Sequence, residues 1–346
     1  MLNPLRTRRP GRRSFRTRLL VTTAFVGAIA ALALLPAASA KTGGAAAAAR
    51  MTGSVPQLPG YELTWKDDFN GAVGKPVEPG KWIYDTGTGY GCAGCPSNWG
   101  TFEIESMTDS LQNVSFDGQG NLLITPVKQA DGTWTSGRIE TRKTDFASGD
   151  HGILRVQGSI ELPQTGVGPA AAGYWPAFWM LGDDFRGNYL NWPAIGEIDI
   201  MENINGRPTA FSTLHCGVAP GGPCNEFSGI GKTTDNTTLQ DSFHTYAMEL
   251  DKSVQPNELR FYLDGVNYGP IYADQVPAET WASATAHGFF VILDVAMGGS
   301  FPWAECNFFP HAGGCSGSTP FPEVVTPSTV SGKPMKVAYV AVYNKK

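Results

Sequence analysis

Three acids stand close together in the run Gly196-Glu197-Ile198-Asp199-Ile200-Met201-Glu202-Asn203. In an extended strand, residues two apart share a face, so Glu197 and Asp199 point one way while Ile198 and Ile200 point the other, toward a core. Glu202, five residues beyond Glu197, has the wrong parity. It rejoins the acidic face if one extra residue, Met201, is absorbed in a β-bulge that shifts the alternation by one. Three carboxyl groups on one face repel one another, which raises the pKa of at least one of them. A carboxyl that stays protonated beside an ionised neighbour suits general-acid and nucleophilic work on one bond. Taken alone, alternating Ile and acid also describes a solvated strand face.

Cleavage of a glycosidic bond with retention needs such a split, with two carboxyls about 5 to 5.5 Å apart, one ionised and one protonated. Asp199, between the two glutamates, could orient one of them and help keep the other protonated. The aromatic residues fit a sugar substrate. Trp99, Trp175, Trp179, Trp192 and Trp303 all sit near Gly- or Pro-rich turns, and indole faces stack against the apolar C–H face of a pyranose ring. Ordinary sandwich core is the competing reading for any single tryptophan.

The elements that must carry these residues read as short strands: 62–69, 122–126, 137–141, 153–162, 177–181, 197–202 and 210–215, then 245–251, 259–263, 289–295 and 335–343. Gly, Pro, Asn and Asp clusters separate them, and helical periodicity over ten or more residues is scarce. Many short strands, with 42 glycines between and within them, predict an all-β chain. The architecture expected is an antiparallel β-sandwich, a concanavalin-like jelly roll with the acids in a cleft on its concave sheet. Asp264-Gly265, directly after Phe261-Tyr262-Leu263, is a hairpin signal that supports antiparallel connectivity.

Ahead of this domain, Arg6, Arg8, Arg9, Arg12, Arg13, Arg16 and Arg18 precede an uncharged apolar run from Leu19 to Leu35, with Ala38-Ser39-Ala40 behind it. That is the pattern of a signal peptide over residues 1–40, and Arg12-Arg13-Ser14-Phe15 loosely matches a twin-arginine export signal. An uncleaved membrane anchor is the alternative; the run is short for one. Residues 41–59, rich in Ala, Gly and small polar residues, read as a flexible spacer, and 60–346 as one catalytic domain. The expectation is a secreted protein that does not stay in the membrane after cleavage.

The full chain has 26 basic and 31 acidic residues, and the leader takes seven arginines and no acid with it. The remainder is clearly acidic, which disfavours nucleic acid or an anionic membrane as partner and leaves a neutral polymer open. Six cysteines in an exported chain are expected to pair. Nearest neighbours would give Cys92–Cys95, Cys216–Cys224 and Cys306–Cys315, among 15 connectivities that six cysteines allow. Cys92-Ala-Gly-Cys95 as a redox or zinc motif lacks both a second pair at zinc spacing and a parallel βαβ context.

Against this background, Glu197-Ile198-Asp199-Ile200-Met201-Glu202 resembles the active-site signature of family 16 glycoside hydrolases, particularly their laminarinase-like branch, where the inserted residue accompanies β-1,3-glucanases. The resemblance implies that Glu197 is the nucleophile, Asp199 its assisting carboxylate and Glu202 the acid/base. It extends to Trp175-Pro176-Ala177-Phe178-Trp179-Met180-Leu181-Gly182 and Trp192-Pro193, to Trp99-Gly100 with Glu103, and to Ser136-Gly137-Arg138-Ile139. Phe243-His244, Phe261-Tyr262-Leu263-Asp264-Gly265 and Ala296-Met297-Gly298-Gly299-Ser300-Phe301-Pro302 are similar to further landmarks. Trp99, Glu103, Arg138, Trp175, Trp179, Trp192 and His215 are thereby implied as substrate contacts, with His244 structural.

The chain departs from the family pattern in places. Ile153-Leu154-Arg155-Val156-Gln157-Gly158-Ser159 lacks a charged pair common on that strand, and Asp294 stands where asparagine is usual. In Ala338-Tyr339-Val340-Ala341-Val342-Tyr343, alanine replaces an aspartate that many relatives use for a structural calcium ion, so no cofactor is expected. The function implied is a monomeric, retaining endo-β-glucanase that cuts internal β-1,3 and also β-1,3-1,4 bonds of a neutral β-glucan by double displacement. The alternatives are a related activity on β-galactan, transglycosylation, or a non-catalytic sugar-binding module.

Overall fold

The computed structural model describes residues 54–304 and 324–346. The signal-peptide reading, most of the spacer and the Cys306–Cys315 pairing lie outside the described residues.

Alternation along Phe289–Met297 shows how the sheets are built. Phe289, Val291, Leu293, Val295 and Met297 enter the main core, while Phe290 and Ile292 join a second apolar cluster on the opposite face with Ala177, Trp179, Leu181 and Phe185. Period-2 patterning thus gives one strand two apolar faces, one for the sandwich interior and one for a floor beneath aromatic side chains. That strand is central in a seven-stranded sheet ordered Ile230–Asp235, Thr209–His215, Glu197–Glu202, Tyr174–Gly182, Phe289–Met297, Arg138–Thr141, Trp82–Tyr84.

The second large sheet runs Val266–Tyr272, Glu258–Leu263, His244–Asp251, Ile153–Glu161, Met335–Lys345, Leu122–Ile124, Val114–Phe116, with Glu62–Asp67 also paired to Met335–Lys345. All pairings in both sheets are antiparallel. The exception is a small third sheet, where Glu105–Met107 pairs parallel with Trp134–Ser136. Ile198, Met180, Phe178 and Leu214 from one large sheet and Leu154, Val156, Met248 and Val340 from the other share one core cluster. Each such buried Ile or Leu stabilises the fold by about 1.5–3 kcal/mol. The chain is the antiparallel jelly-roll sandwich that its strand pattern predicts.

Every strand read from the sequence is present within a few residues. The Asp264-Gly265 hairpin joins Glu258–Leu263 to Val266–Tyr272, with Leu263 opposite Val266 and positive φ at both turn residues, the conformation such a two-residue turn requires. Cys92–Cys95 and Cys216–Cys224 are disulfide-bonded. The strand that lacks the usual charged pair recovers one from its neighbour: Arg155 Nη1 donates to Glu249 Oε1 at 2.9 Å. Ala338 packs with Tyr339, Ala341 and Tyr343 in an apolar cluster under Val55, Leu58, Tyr61 and Leu63. His244 is structural as expected, its Nδ1 2.7 Å from Asp264 Oδ2.

Candidate active site

The bulge lies where the acids need it. Against Tyr174–Gly182, Glu202 pairs with Ala177, Met201 with Phe178 and Asp199 with Trp179, so one residue of the acidic strand is left over. The other side agrees, since Asp199 pairs with Thr213 and Glu202 with Phe211, three steps against two. The residue without a partner on Tyr174–Gly182 is Ile200, one ahead of the expected Met201. Both side chains, with Ile198, are wholly buried in the core, so Glu197, Asp199 and Glu202 emerge together on the opposite face.

Each acid meets a different partner. Trp175 Nε1 donates to Glu202 Oε1 at 2.8 Å. His215, directly across from Glu197 on the next strand, places Nε2 3.3 Å from Asp199 Oδ2 and 3.8 Å from Glu197 Oε1. Burial, then the charge of Asp199, push the Glu197 carboxyl up to about 8, and His215 pulls against them. Burial and Asp199 likewise hold the Glu202 carboxyl well above the usual carboxylate range. Burial alone would lower the His215 pKa, but the carboxylates of Asp199 and Glu226 outweigh it and raise it well above that of a free imidazole. The site therefore holds one cation among its acids, and both glutamates are drawn toward the protonated form, which acid-assisted displacement needs at one of them. Ligand atoms of Glu197, Asp199 and His215 lie within 4.8 Å of one another, but an imidazolium held between carboxylates has no lone pair to offer a metal, so the cluster is an ion-pair network.

Beside the acids the floor is aromatic and charged. The Arg138 guanidinium lies 4.6 Å from the Trp99 ring centre and 4.7 Å from that of Trp179, and its Nε donates to Asp85 Oδ2 at 3.0 Å. Trp99 and Trp179 thus spend part of their π-surface on a cation inside the protein, a use the sequence does not reveal. Asp294 accepts from Trp179 Nε1 at 2.7 Å, and burial pushes its carboxyl up to about 7 against the pull of Arg138. Glu103 is only 5% exposed and accepts the Thr101 hydroxyl at 2.5 Å. Behind it, burial and Glu103 raise the Glu105 carboxyl well above its usual range, and Glu105 accepts the Met297 amide at 2.7 Å. Trp192 stands nearer the acids, 5.7 Å from the His215 ring and stacked on the exposed Phe227 at 6.0 Å.

The structure thus gathers Glu197, Asp199, Glu202, Trp175, His215 and Trp192 into one cluster, and Trp99, Arg138 and Trp179 into an adjoining stack with Glu103 beneath the surface. Sequence reasoning missed Glu226, whose Oε2 lies 2.6 Å from His215 Nδ1. Its one signal was position, two residues after Cys224 on a loop that opens at Cys216.

A jelly roll with two glutamates and an assisting aspartate on one bulged strand, beside half-buried indoles, has the equipment of a glycoside hydrolase. Residues 160–258 match the family described as "XgeA-like, catalytic GH16 domain". The chain is 30% identical over 255 residues to the beta-glucanase of Rhodothermus marinus, covering 71% of this chain and 78% of that one. It is 29% identical over 267 residues to glucan endo-1,3-beta-glucosidase A1 of Niallia circulans, 71% of this chain but 35% of that longer protein. The crystal structure of endo-1,3-beta-glucanase from Streptomyces sioyaensis superposes with a TM-score of 0.77 at 53% identity, covering 85% of this chain and all of that one. The chain belongs to glycoside hydrolase family 16, of the laminarinase-like type.

Proposed function

We propose that the protein is a secreted, retaining endo-β-1,3-glucanase that also accepts β-1,3-1,4-glucan. The observation that carries this reading is the bulged strand that sets Glu197, Asp199 and Glu202 on one face with separate partners. Glu202, protonated, gives its proton to the leaving glycosidic oxygen while Glu197 attacks the anomeric carbon and forms a glycosyl ester. Water, deprotonated by Glu202, then opens the ester and restores both groups. The His215 cation favours the ionised form of Glu197 against burial and the charge of Asp199, and the Trp175 N–H fixes the Glu202 carboxyl in place. The half-buried indoles of Trp175, at Glu202, and Trp192, at His215, supply sugar-stacking surface beside the acids. The β-1,3 preference is supported by the enzymes this chain resembles and by the bulge. Export is supported by the Arg-rich leader and the two disulfides.

Glu197→Gln and Glu202→Gln are each expected to abolish reducing-end release from laminarin while the melting temperature stays near that of the parent. The first-formed reducing end, followed by proton NMR, should be the β-anomer. An α-anomer first, or substantial activity in either variant, would contradict the assignment. A panel of laminarin, curdlan, lichenan, galactan and agarose ranks the polymers.

A further inference from the structure

His215 is gripped from both sides. Its Nδ1 lies 2.6 Å from Glu226 Oε2, and its Nε2 faces Asp199 Oδ2 at 3.3 Å and Glu197 Oε1 at 3.8 Å. An ionised carboxylate only accepts hydrogen bonds, so a ring flanked by carboxylates at both nitrogens suits them as an imidazolium, its Nδ1–H donating to Glu226 and its Nε2–H turned toward Asp199 and Glu197. The second oxygen of Glu226 accepts the Cys216 amide at 2.8 Å. With its side chain fully enclosed, Glu226 has both oxygens engaged, and a buried carboxylate is tolerated only when paired in this way.

The loop is tied so that acid and ring face each other. Cys216 follows His215, Cys224 precedes Glu226 by two residues, and the two cysteines are bonded. Inside the loop, Gly221 and Glu226 exchange backbone hydrogen bonds, with the Glu226 amide donating to the Gly221 carbonyl at 2.6 Å. The disulfide therefore closes around the ion pair and leaves the buried carboxylate little room to turn away.

We infer that Glu226 is a positioning residue for the reaction, acting through His215, and that the Cys216–Cys224 disulfide is the tie that keeps it aimed. The inference rests on Glu197 and Glu202 being the reacting pair. The ionisable groups facing the imidazole are Glu197 and Asp199 on one side and Glu226 on the other. Those acting on Glu197 are Asp199, His215, Glu226 and Arg138, with the pull of His215 larger than the push of Glu226. Without Glu226 the ring loses the partner at Nδ1, its pKa falls, and it is neutral where the parent ring is charged. Glu197 then loses a nearby cation and holds its proton to higher pH.

The test joins a substrate-free readout to a kinetic one. Two-bond proton–nitrogen spectra of the ¹⁵N-labelled full chain report the protonation of each of its five histidines, and the His215 signal is assigned from its loss in His215→Asn. At pH 8 the parent should show His215 protonated at both nitrogens. Glu226→Ala should show a neutral ring, with the midpoint at least about one pH unit lower. On laminarin, the same variant should lose about 10- to 100-fold in kcat with KM within about threefold, since a misplaced catalytic group costs on that scale. The acid limb of kcat/KM should move upward by about one pH unit.

Glu226→Gln keeps the size and one acceptor but not the charge, so it should show the pH shift with a smaller loss of kcat. Cys216→Ser/Cys224→Ser should reproduce part of both effects, which keeps the test decisive if the alanine variant does not fold. A His215 ring that stays doubly protonated at pH 8 in these variants, or a fall in melting temperature with an unmoved pH profile, would overturn the inference. A parent chain without laminarin hydrolysis but with the coupled titration would instead sink the proposed function and leave the Glu226–His215 linkage standing.

Discussion

Replacing Trp175 with Phe removes one donor and leaves most of the ring's space filled. The indole Nε1 donates to Glu202 Oε1 at 2.8 Å, while the ring packs edge-on against Phe301, centroids 5.8 Å apart. A hydrogen bond to a charged group contributes about 1.5–3 kcal/mol, and one pKa unit corresponds to about 1.36 kcal/mol. Were all of it spent on the ionised carboxylate, the loss would raise the Glu202 pKa by about 1 to 2 units; water at the partly exposed ring edge returns part, leaving about 1 unit. The sign follows from the donor, which favours the charged form against burial and Asp199, the two influences that already hold this carboxyl high. On the proposed roles Glu202 must carry its proton to act as acid, so the alkaline limb of kcat/KM on laminarin should move up by about one pH unit. The acid limb, assigned to Glu197 on the same proposal, should stay. A proton held more tightly is given up less readily, so kcat at the optimum should fall roughly 3- to 10-fold. Initial rates of reducing-end release from pH 4 to 10 measure both. An alkaline limb that stays put or moves down, in a variant that melts like the parent, would refute the reasoning.

Asp294→Asn tests the buried acid that stands in the place of the family's asparagine. A carboxyl raised from 3.8 to about 7 on folding binds a proton in the native state that the unfolded chain has released, so it costs stability progressively as pH rises through that window. The variant keeps an acceptor for Trp179 Nε1, and its melting temperature should gain on the parent's by several degrees more at pH 8 than at pH 5; equal differences at the two pH values would count against the account. Excess EDTA is expected to leave the melting temperature within about 1 °C, because Ala338 brings no carboxylate to the usual calcium position and a bound ion would stabilise measurably. A larger drop would place a structural metal elsewhere.

Period-2 patterning made the long inner strands of both large sheets legible, because each buries a continuous face that the sequence must fill with Ile, Leu, Val and Phe. The pieces that escaped, such as Glu105–Met107 and Val127–Lys128, are two or three residues long and too short to show a period. Ile230–Asp235 escaped for another reason: as an edge strand it alternates in burial but fills its positions with Gly, Lys and Thr. The acids were legible because parity forced a bulge. The bulge's unpaired residue was not, since Ile200 and Met201 are both apolar and both enter the core. Least visible were through-space relations. Nothing in Arg138 announces that it will lie between Trp99 and Trp179, which come from elements far apart in sequence, and nothing in Glu226 announces His215 as its partner, because that contact depends on how the Cys216–Cys224 loop folds back on itself.

The bulge does more than restore parity. In a regular strand, three acids two residues apart would be equivalent neighbours, and repulsion alone would decide which one keeps a proton. Here Glu197 and Asp199 keep regular spacing and face the cation on Thr209–His215, whereas two consecutive core residues, Ile200 and Met201, separate Asp199 from Glu202 and increase the local twist. Glu202 is thereby turned toward Trp175, on the opposite neighbouring strand. The His215 ring lies against Glu197 and Asp199 while Glu202 alone takes the Trp175 N–H, so the two glutamates meet different partners although burial and Asp199 raise both. One inserted apolar residue, whose side chain enters the core, thus gives the two glutamates different partners, and the proposed division into nucleophile and acid/base rests on that difference.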